Sequence, residues 1–483
     1  MSTTTWRAQT PSAPTMRAPQ RVITASDTGA PTPARRVHRA WRRDVVEFSG
    51  WLSIALAVGI YLAGRSSADW SSASAALTTL GMVSGLVATD LFVLQLLLAA
   101  RIPFVDHAMG HDRALAHHRR LTVWSMSLVG VHVVALTASW SLDANGLFRG
   151  VADLWSTADI PLAVLGLGLL CAVGVSSFEA ARRRLPHEVW YVIHLLTYAG
   201  IGASIPHMFS DSRLLVGGAK VYWAALLLVT GFCLLTFRWV LPLAQSLEHR
   251  LVVDQVRWVT PDSVEISMTG RDLSGLGGEA GQFLTWRFLD PRLVWHAHPL
   301  SLSAAPDGRR LRVTMRILGR GTDQIAHRLR PGTKVLAAGP YGIMTASSGT
   351  SDAVVLAGSG VGLAPIRALL ETVDVVPGRA LLIARASRRE DLVHHDEIVD
   401  LCRERGVRLV TLVGHRFHPG PGRPAARSWT PDNSPVQLSQ LAPWVRQADL
   451  YVCGPQAWTD EFVAEARAIG VPDRQIHEER FSW

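Results

Sequence analysis

Cysteine is scarce in this sequence: the 483 residues contain only four, and no two form a CxxC motif. Cys171 and Cys233 fall in apolar stretches, whereas Cys402 and Cys453 fall in the more polar second half. This pattern argues against both a disulfide framework and a thiol-based redox relay. A cleavable signal peptide is lacking too, because the first apolar run begins only near residue 48 and leads into further runs without a cleavage site.

Apolar residues are abundant and concentrated in the first half of the chain. Six stretches are long enough to cross a bilayer about 30 Å thick, which takes roughly 20 helical residues. They lie near residues 47–64, 78–100, 120–140, 158–178, 189–208 and 220–241. Residues 1–45 are instead rich in Ser, Thr, Pro, Ala and Arg and predict a disordered basic tail. We therefore expect a membrane domain over residues 46–247.

The connections between these stretches predict the orientation in the membrane. Arginines cluster before the first span, between the second and third, and between the fourth and fifth, whereas the alternate loops carry few charges. Those arginines are Arg35, Arg36, Arg39, Arg42, Arg43, Arg101, Arg113, Arg119, Arg120, Arg182, Arg183 and Arg184. By the positive-inside rule, a multi-pass protein of the cell membrane with both termini in the cytoplasm is expected.

The second half reads as two further domains. Residues 248–347 contain short alternating strands such as LVVDQVRWV and RRLRVTMRIL, broken by Gly and Pro, which predict a small antiparallel β-barrel. In residues 348–483 strands, Gly-rich turns and helices alternate, which predicts an α/β domain with a parallel sheet. The expected fold is thus a mixed membrane protein with a six-helix bundle, a barrel and an α/β domain.

Two apolar spans carry histidine near both ends: HHRRLTVWSMSLVGVH in the third span and HLLTYAGIGASIPH in the fifth. His118 and His132 are 14 residues apart, which on a helix is about 21 Å of rise and nearly one face. His194 and His207 are 13 apart, and Pro206 can supply the rotation that aligns them. If the two helices face each other, the four imidazoles form an inner and an outer pair.

Two imidazoles facing each other across a plane suit a six-coordinate haem iron, an electron-transfer site without an open position. A lone membrane histidine more often makes a hydrogen bond between helices, but four at paired spacings favour two stacked haems. Zinc is a weaker alternative, because each pair falls short of the usual ligand count. His117 competes with His118 as the inner ligand. Asp90 could serve a proton or cation path, or could simply make a polar contact between helices.

The stretches HRRLTVW and VWYVIHLLTYAG resemble the third and fifth spans of the ferric reductase and NADPH oxidase family of transmembrane flavocytochromes. The resemblance extends over roughly residues 47–483. It favours His118 over His117, since the family pattern places RRL directly after its ligand. It implies two b-type haems, whose ligands would be His118, His132, His194 and His207.

The segment HPLSLSAAP looks like the flavin motif of that family. The resemblance implies FAD contacts at His298, Pro299, Leu300 and Ser301. About 20 residues further on, MRILGRGTDQIAHRL predicts a helix start at which free backbone amides and the helix dipole favour a pyrophosphate. The residues at this start are Gly319, Gly321 and Thr322. An ordinary capped turn, with Thr322 as the N-cap, is the alternative.

The segment VVLAGSGVGLAPI predicts a strand, a glycine turn and a helix. Gly358, Gly360 and Gly362 permit a tight turn and close backbone approach to a dinucleotide phosphate. The segment matches the GxGxxP form of ferredoxin-reductase-type nucleotide domains, in which Pro365 closes the motif. The alternative is the strand-to-helix turn of any α/β protein.

The next strand is followed by ARASRRED, which is rich in arginine. Arg385, Ser387 and Arg388 lie where the adenosine ribose of a bound nucleotide is expected. A nearby arginine suits a 2′-phosphate and so favours NADPH over NADH. A solvated turn, with its charge balanced by Glu390 and Asp391, is the alternative.

Two segments near the C-terminus complete the resemblance. YVCGPQAW resembles the CGP motif of the family, which implies that Cys453, Gly454 and Pro455 lie near the nicotinamide. A buried free cysteine without a role is the alternative. The chain ends in HEERFSW. In the family a terminal aromatic residue stacks over the flavin, and both Phe481 and Trp483 qualify.

Together these motifs predict a cytoplasmic NAD(P)H oxidoreductase that passes electrons through FAD and two b haems to an acceptor outside. A hydride carries two electrons and haem iron accepts one, so a flavin must lie between them. Ferric iron, as a small chelate, is the expected acceptor. Reduction of dioxygen to superoxide, delivery to a separate outer redox protein, and a haem-binding sensor are the alternatives. No nucleic-acid partner is expected.

Overall fold

A computed structural model describes residues 33–63, 70–210, 218–294, 296–416, 429–431 and 436–481. Within these ranges, six helical segments are long and apolar enough to cross a membrane, in agreement with the six predicted spans. They are Trp41–Ala63, Ala73–Ala99, Arg113–Asp143, Ile160–Ser177, Val189–Ser210 and Gly218–His249.

The first half of the chain is helical. Its helices are α1 (Pro33–Ala63), α2 (Ala73–Ala99), α3 (Pro103–Met109), α4 (His111–Asp143), α5 (Leu147–Ser156), α6 (Ile160–Ser177), α7 (Glu179–Arg182), α8 (His187–Ser210), α9 (Gly218–Leu235) and α10 (Leu241–His249). A π-helical turn, Thr236–Val240, joins α9 to α10. Residues 33–45, expected to belong to a disordered tail, are helical, and residues 1–32 lie outside the described residues.

Polar contacts and small residues hold the bundle together. Helix α2 packs along α4, where Gln95 Nε2 donates to Ser125 Oγ at 2.9 Å. Helix α6 packs along α8 so closely that a Cβ atom on Gly166 would lie 2.6 Å from the Gly200 carbonyl oxygen. Close packing and interhelical hydrogen bonds of this kind stabilise helix pairs in a membrane. The hydrophobic effect does not, because lipid tails are as apolar as the side chains.

Asp90 joins three of the spans. It is fully buried on α2 and accepts a 2.6 Å hydrogen bond from Ser53 Oγ on α1. The Ser53 hydroxyl also lies 3.2 Å from the Tyr222 hydroxyl on α9. This arrangement fits the polar helix contact, one of the two roles considered for Asp90 from the sequence.

Antiparallel strands follow in two sheets of three. One sheet has the order β1-β2-β5, formed by β1 (Val252–Thr260), β2 (Ser263–Thr269) and β5 (Arg310–Arg316). The other has the order β4-β3-β6, formed by β3 (Phe283–Phe288), β4 (His298–Ser301) and β6 (Val335–Tyr341). Helix α11 (Arg320–Arg328) lies between β5 and β6 in sequence.

The predicted antiparallel β-barrel is confirmed only in part, because its strands form two three-stranded sheets and continuous pairing does not run around them. Among the described residues the two sheets meet at two short stretches. Backbone hydrogen bonds join residues 251–253 to residues 332–335 around the Val252–Lys334 bridge, and Leu302 pairs with Val313. A register shift beyond Val253 bends β1, since a bulge increases local twist, and the pairing with Lys334 does not continue. Both sheets nevertheless share one core, in which Trp286 and Ile266 are fully buried.

The last part of the chain forms the predicted α/β fold with a five-stranded parallel sheet. Its strands are β7 (Val354–Ser359), β8 (Ala380–Ala386), β9 (Arg408–Val413), β10 (Asp449–Pro455) and β11 (Ile476–Phe481), in the order β11-β10-β7-β8-β9. Its helices are α12 (Leu363–Thr372), α13 (His395–Arg405), α14 (Leu438–Leu441) and α15 (Gln456–Ala468). The chain order reverses between β7 and β10, and ligands of such sheets bind beyond the carboxyl ends of strands at that point.

Candidate functional site

The four membrane histidines form two facing pairs. His118 and His194, nearer to the sheets and called the inner pair, have ring centroids 6.3 Å apart. His132 and His207, called the outer pair, also have ring centroids 6.3 Å apart. His118, and not the alternative His117, makes the ring contact with His194.

This spacing fits a metal ion between the rings of each pair. An imidazole–metal bond is about 2 Å, and a ring nitrogen lies about 1.1 Å from the ring centre, so two imidazoles on opposite sides of one metal have centroids roughly 6.2 Å apart. The donor set, two imidazoles and no carboxylate or thiolate in the ring contact, suits haem iron, whose four remaining ligands come from the porphyrin.

Two of the histidines are oriented by carbonyl groups of α2. His132 Nδ1 lies 2.7 Å from the Gly81 carbonyl oxygen, and His118 Nδ1 lies 3.1 Å from the Gln95 carbonyl oxygen. Only a protonated Nδ1 can donate to a carbonyl, which leaves the lone pair on Nε2 for a metal. The sequence did not reveal these two α2 positions, since nothing in it indicates which carbonyls face the histidines.

A cavity of about 470 Å³ adjoins the outer pair. His132 and His207 line it together with Trp140 on α4, Leu154 on α5 and Gly85 on α2. Its other lining side chains are mostly aliphatic, as a porphyrin ring in a membrane requires. Gly85 belongs to a small-residue pattern, GMVSG, that the sequence displays but that was not singled out as part of a site.

The flavin motif and the start of α11 lie next to each other. A Cβ atom on Gly321 would lie 3.7 Å from His298 Cε1. The helix start is capped, but the N-cap is Gly319 and not Thr322, which the alternative named. Thr322 lies three residues later, where its Oγ1 accepts from the Gly319 backbone N–H at 3.2 Å. Pro299 is exposed and Leu300 is buried.

Ser301 contacts a residue that sequence analysis missed. Its hydroxyl donates a 2.7 Å hydrogen bond to Glu479 Oε1, and both side chains are buried. Glu479 is the register partner of Cys453 across β11 and β10. The flavin motif, the CGP motif and the C-terminal strand therefore meet at one place. The only sequence signal was an acidic residue two positions before Phe481.

The glycine turn packs directly against the CGP motif. A Cβ atom on Gly362 would lie 2.2 Å from the Cys453 carbonyl oxygen, so this position requires glycine. Gly360 has φ +58°, a conformation that favours glycine. Gly358 pairs with Cys453 in the sheet, Pro365 is buried in the first turn of α12, and Gly454 and Pro455 end β10.

The terminal aromatic residues are only partly described. Phe481 is the last residue of β11, where its backbone is the register partner of Pro455. Trp483 lies outside the described residues. The stacking predicted for one of these two side chains therefore stays a prediction.

The arginines after β8 differ in their surroundings. Arg385 is buried at the end of β8, beside Ser359 of the glycine turn. Ser387 and Arg388 are exposed, and Arg388 forms ion pairs with Glu390 at 2.8 Å and Asp391 at 3.0 Å. The hydrogen bond to Asp391 raises the pKa of Arg388. The balanced charged turn therefore describes Arg388, whereas the buried Arg385 lies beside the glycine turn.

Glu265, His394 and Glu397 have their ligand atoms within 4.8 Å of one another, a spacing that a metal ion could bridge. However, Glu397 Oε2 lies 3.0 Å from Arg312 Nη2 and 2.8 Å from Arg367 Nε. A hydrogen bond from His394, aided by Arg312, holds the pKa of Glu397 well below its usual range although partial burial opposes this. The arginines already compensate both carboxylates, so this group is an ion cluster that joins the antiparallel sheets to α12 and α13.

The membrane bundle contacts the antiparallel sheets through the connection between α2 and α4. Arg101 Nη1 donates to Thr285 Oγ1 at 2.9 Å, and its guanidinium carbon lies 4.6 Å from the centre of the Tyr341 ring. His111 stacks on the same ring, with centroids 5.8 Å apart. The inner pair thus lies at the end of the bundle that carries the sheets.

Comparisons with known proteins assign the two halves separately. Residues 84–205 match the family model described as ferric reductase like transmembrane component. The match covers three of the four paired histidines and ends two residues before His207.

The part of the chain that follows the helical bundle, called the reductase half below, is similar to known reductases and to a flavohemoprotein. A ferredoxin–NADP reductase B of Sorangium cellulosum is 29% identical over 248 residues, which are 49% of this chain and 98% of that protein. A flavohemoprotein of Xylella fastidiosa is 25% identical over 210 residues, or 42% of this chain, and the match spans about half (51%) of that protein. The cytochrome P450 reductase GcoB of Amycolatopsis superimposes with TM-score 0.38 at 21% identity, over 48% of this chain and 69% of that one. Because that superposition is loose, the assignment depends on the sequence relatives.

Proposed function

We propose that this chain, an NAD(P)H-dependent oxidoreductase of the ferric reductase-like family, carries electrons from NAD(P)H through FAD and two b-type haems to an acceptor across the membrane. The observation that supports this best is the pair of 6.3 Å imidazole spacings, one above the other in a bundle that carries a reductase half at one end. Each spacing suits one iron, and two irons give electrons a route through the bilayer.

The reductase half would bind both soluble cofactors. Cys453, Gly454 and Pro455 would border the nicotinamide, and the turn at Gly360 would receive the pyrophosphate of NADPH. Arg385 would contact the adenosine end, which favours NADPH over NADH. Bound FAD accepts two electrons from a hydride and passes them on singly.

The residues around the flavin would hold it and its hydride donor in place. His298 and Gly321 would border the FAD, with the start of α11 favouring its pyrophosphate. The buried bond between Ser301 and Glu479 would fix both polar groups beside Cys453, where the nicotinamide must approach the flavin. Phe481 or Trp483 would cover the flavin until the nicotinamide displaces it.

The two haems would lie within the membrane domain, residues 46–247, with the FAD domain at residues 248–347 and the nucleotide domain at residues 348–483. Arginine-rich connections favour a cytoplasmic position for the reductase half in the cell membrane. His118 and His194 would hold the haem nearer the flavin.

Ferric iron in a small chelate is the proposed acceptor, and the outer haem would supply its electron. The test begins with purified protein reduced by NADPH under anaerobic conditions, followed by absorbance of both haems. Reduction is expected with NADPH and more slowly with NADH, and no reduction with either coenzyme would reject the proposal. Reoxidation is then compared between ferric citrate and air. Faster reoxidation by air would assign dioxygen instead, and dependence on an added outer protein would assign a redox partner.

A further inference from the structure

The inner ligand His194 is held differently from the α4 histidines. Nδ1 of His118 and of His132 each faces a carbonyl oxygen of α2. Nδ1 of His194 is buried and makes no hydrogen bond within the described part of the chain. A different contact must therefore fix the orientation of this ring, because an unsupported axial ligand rotates about its own bond.

An indole ring supplies that contact. Trp190, one helical turn before His194, stacks on the imidazole with centroids 5.0 Å apart and an interplanar angle of 24°. The guanidinium carbon of Arg182 lies 4.5 Å from the centre of the same indole. Arg182 ends α7 and Trp190 lies in the first turn of α8, so the short connection between these helices brings the cation to the inner ligand.

We propose that Arg182 and Trp190 form a positioning pair that orients His194 and makes the inner haem easier to reduce. The inference rests on the proposed function, since it requires a haem at the inner pair. A cation over an indole draws electron density toward itself, and the stacked imidazole is then a weaker donor to iron. The positive charge also favours the added electron directly through its Coulomb attraction.

A matched neighbour separates this effect from that of general surface charge. Arg183 carries the same charge one residue away and is exposed like Arg182, but its guanidinium pairs with Glu179 and not with the indole. Arg182→Gln and Arg183→Gln therefore remove equal charge from the same inner connection. Arg182→Lys keeps the charge at the indole and serves as the rescue variant.

The experiment is a potentiometric titration of the purified holoenzyme, followed by haem absorbance. The step of the titration curve that belongs to the inner haem is identified by its absence in the His118→Leu variant. In Arg182→Gln the ratio of reduced to oxidised inner haem at a fixed potential is expected to fall roughly threefold to tenfold. At 59 mV per tenfold change, this lowers the midpoint potential of the inner haem by about 30 to 60 mV. Arg183→Gln should leave this ratio unchanged, and Arg182→Lys should restore most of it.

The role of the indole is tested by combining substitutions of Trp190 and Arg182. In Trp190→Leu, the added Arg182→Gln change should shift the inner potential much less than in the parent protein, whereas Trp190→Phe should keep part of the effect. The low-spin electron paramagnetic resonance signal of the inner haem should broaden in Trp190→Leu, since the ligand ring is no longer fixed. Arg182→Gln lies at the surface and tests the proposal even if Trp190→Leu fails to fold.

Equal shifts from Arg182→Gln and Arg183→Gln, or no shift from either, would overturn this inference and leave the proposed function intact. A full Arg182→Gln effect in the Trp190→Leu background would overturn the part assigned to the indole. Wild-type protein without haem would overturn the proposed function itself, so the two failures are distinguishable.

Discussion

The ring of His132 occupies the space that a side chain on Gly85 would need. A Cβ atom built on Gly85 would lie 2.4 Å from His132 Nδ1 and 2.8 Å from its Cε1. The same nitrogen lies 2.7 Å from the Gly81 carbonyl oxygen, so the ring is confined against the backbone of α2. Because neither helix backbone can yield cheaply, the outer site depends on glycine at this position.

Gly85→Ala should therefore impair the outer haem site while the bundle still forms. The added methyl group must displace the imidazole from its line toward His207, and we expect the haem content to fall from about two per chain toward about one. A pyridine haemochrome assay on purified protein measures this. Gly130→Ala is the control, because a Cβ atom on this α4 glycine has nothing within 4 Å. Equal haem content in both variants would show that the ring tolerates the methyl group.

Glu479→Gln should slow hydride transfer to the flavin without releasing it. Ser301 donates to Glu479 at 2.7 Å, and a hydrogen bond to a charged group contributes about 1.5–3 kcal/mol, so a loss of roughly 10- to 100-fold in rate is expected. Anaerobic stopped-flow absorbance of FAD after NADPH addition checks this. Glu478→Gln changes the neighbouring side chain, which points to the other face of the strand, and should react at the wild-type rate. Unchanged kinetics in Glu479→Gln would contradict the assignment.

The ion cluster at Glu397 should make the stability of the reductase half depend on pH. Contacts with His394 and Arg312 hold the folded-state pKa of Glu397 below the unfolded value of about 4.3. The stabilisation is present above that value and is lost as pH falls through the lower folded-state pKa. Glu397→Gln should melt at a lower temperature than wild type at pH 7, and the difference should shrink on acidification below about pH 4.3.

FAD fluorescence during thermal unfolding in detergent measures this difference. Asp400→Asn is the control, because Asp400 lies on the same helix but pairs with Arg403 at the surface. Such exposed pairs contribute little to stability. A pH dependence in Glu397→Gln that parallels wild type throughout would contradict this account of the cluster.

Arg101→Ala should uncouple the flavin from the haems. The substitution removes the hydrogen bond to Thr285 and the contact with Tyr341, which together join the bundle to the antiparallel sheets. FAD reduction by NADPH should proceed at the wild-type rate, whereas subsequent haem reduction should slow several-fold. Stopped-flow traces at flavin and haem wavelengths separate the two steps, and Arg113→Ala, which changes an exposed arginine near the start of α4, is the control. Slowing of both steps alike would point to misfolding of the reductase half.

Helical periodicity predicted the depths of the four histidines and the shared face of His118 and His132. The alignment of His194 with His207 needed a rotation at Pro206, and the pairing of the two helices was an assumption. The sequence did not predict the roles of three groups: the carbonyl groups of Gly81 and Gln95 and the carboxylate of Glu479. Their roles depend on packing between segments distant in sequence. The incomplete pairing around the barrel could not be predicted for a related reason: strand patterns indicate alternation but not whether the edge strands pair continuously. The sequence also could not decide between nucleotide binding and local ion pairs for Arg388, because that depends on the directions of the Glu390 and Asp391 side chains.

The most direct test of the central claim is the haem stoichiometry of purified wild-type protein beside its single-histidine variants. About two b haems per FAD are expected in wild type, with the low-spin spectra of bis-imidazole iron. His132→Leu and His207→Leu should each retain one haem, reducible by NADPH, because the inner pair remains. A colourless wild-type preparation from haem-replete cells, or variants that keep both haems, would contradict the account.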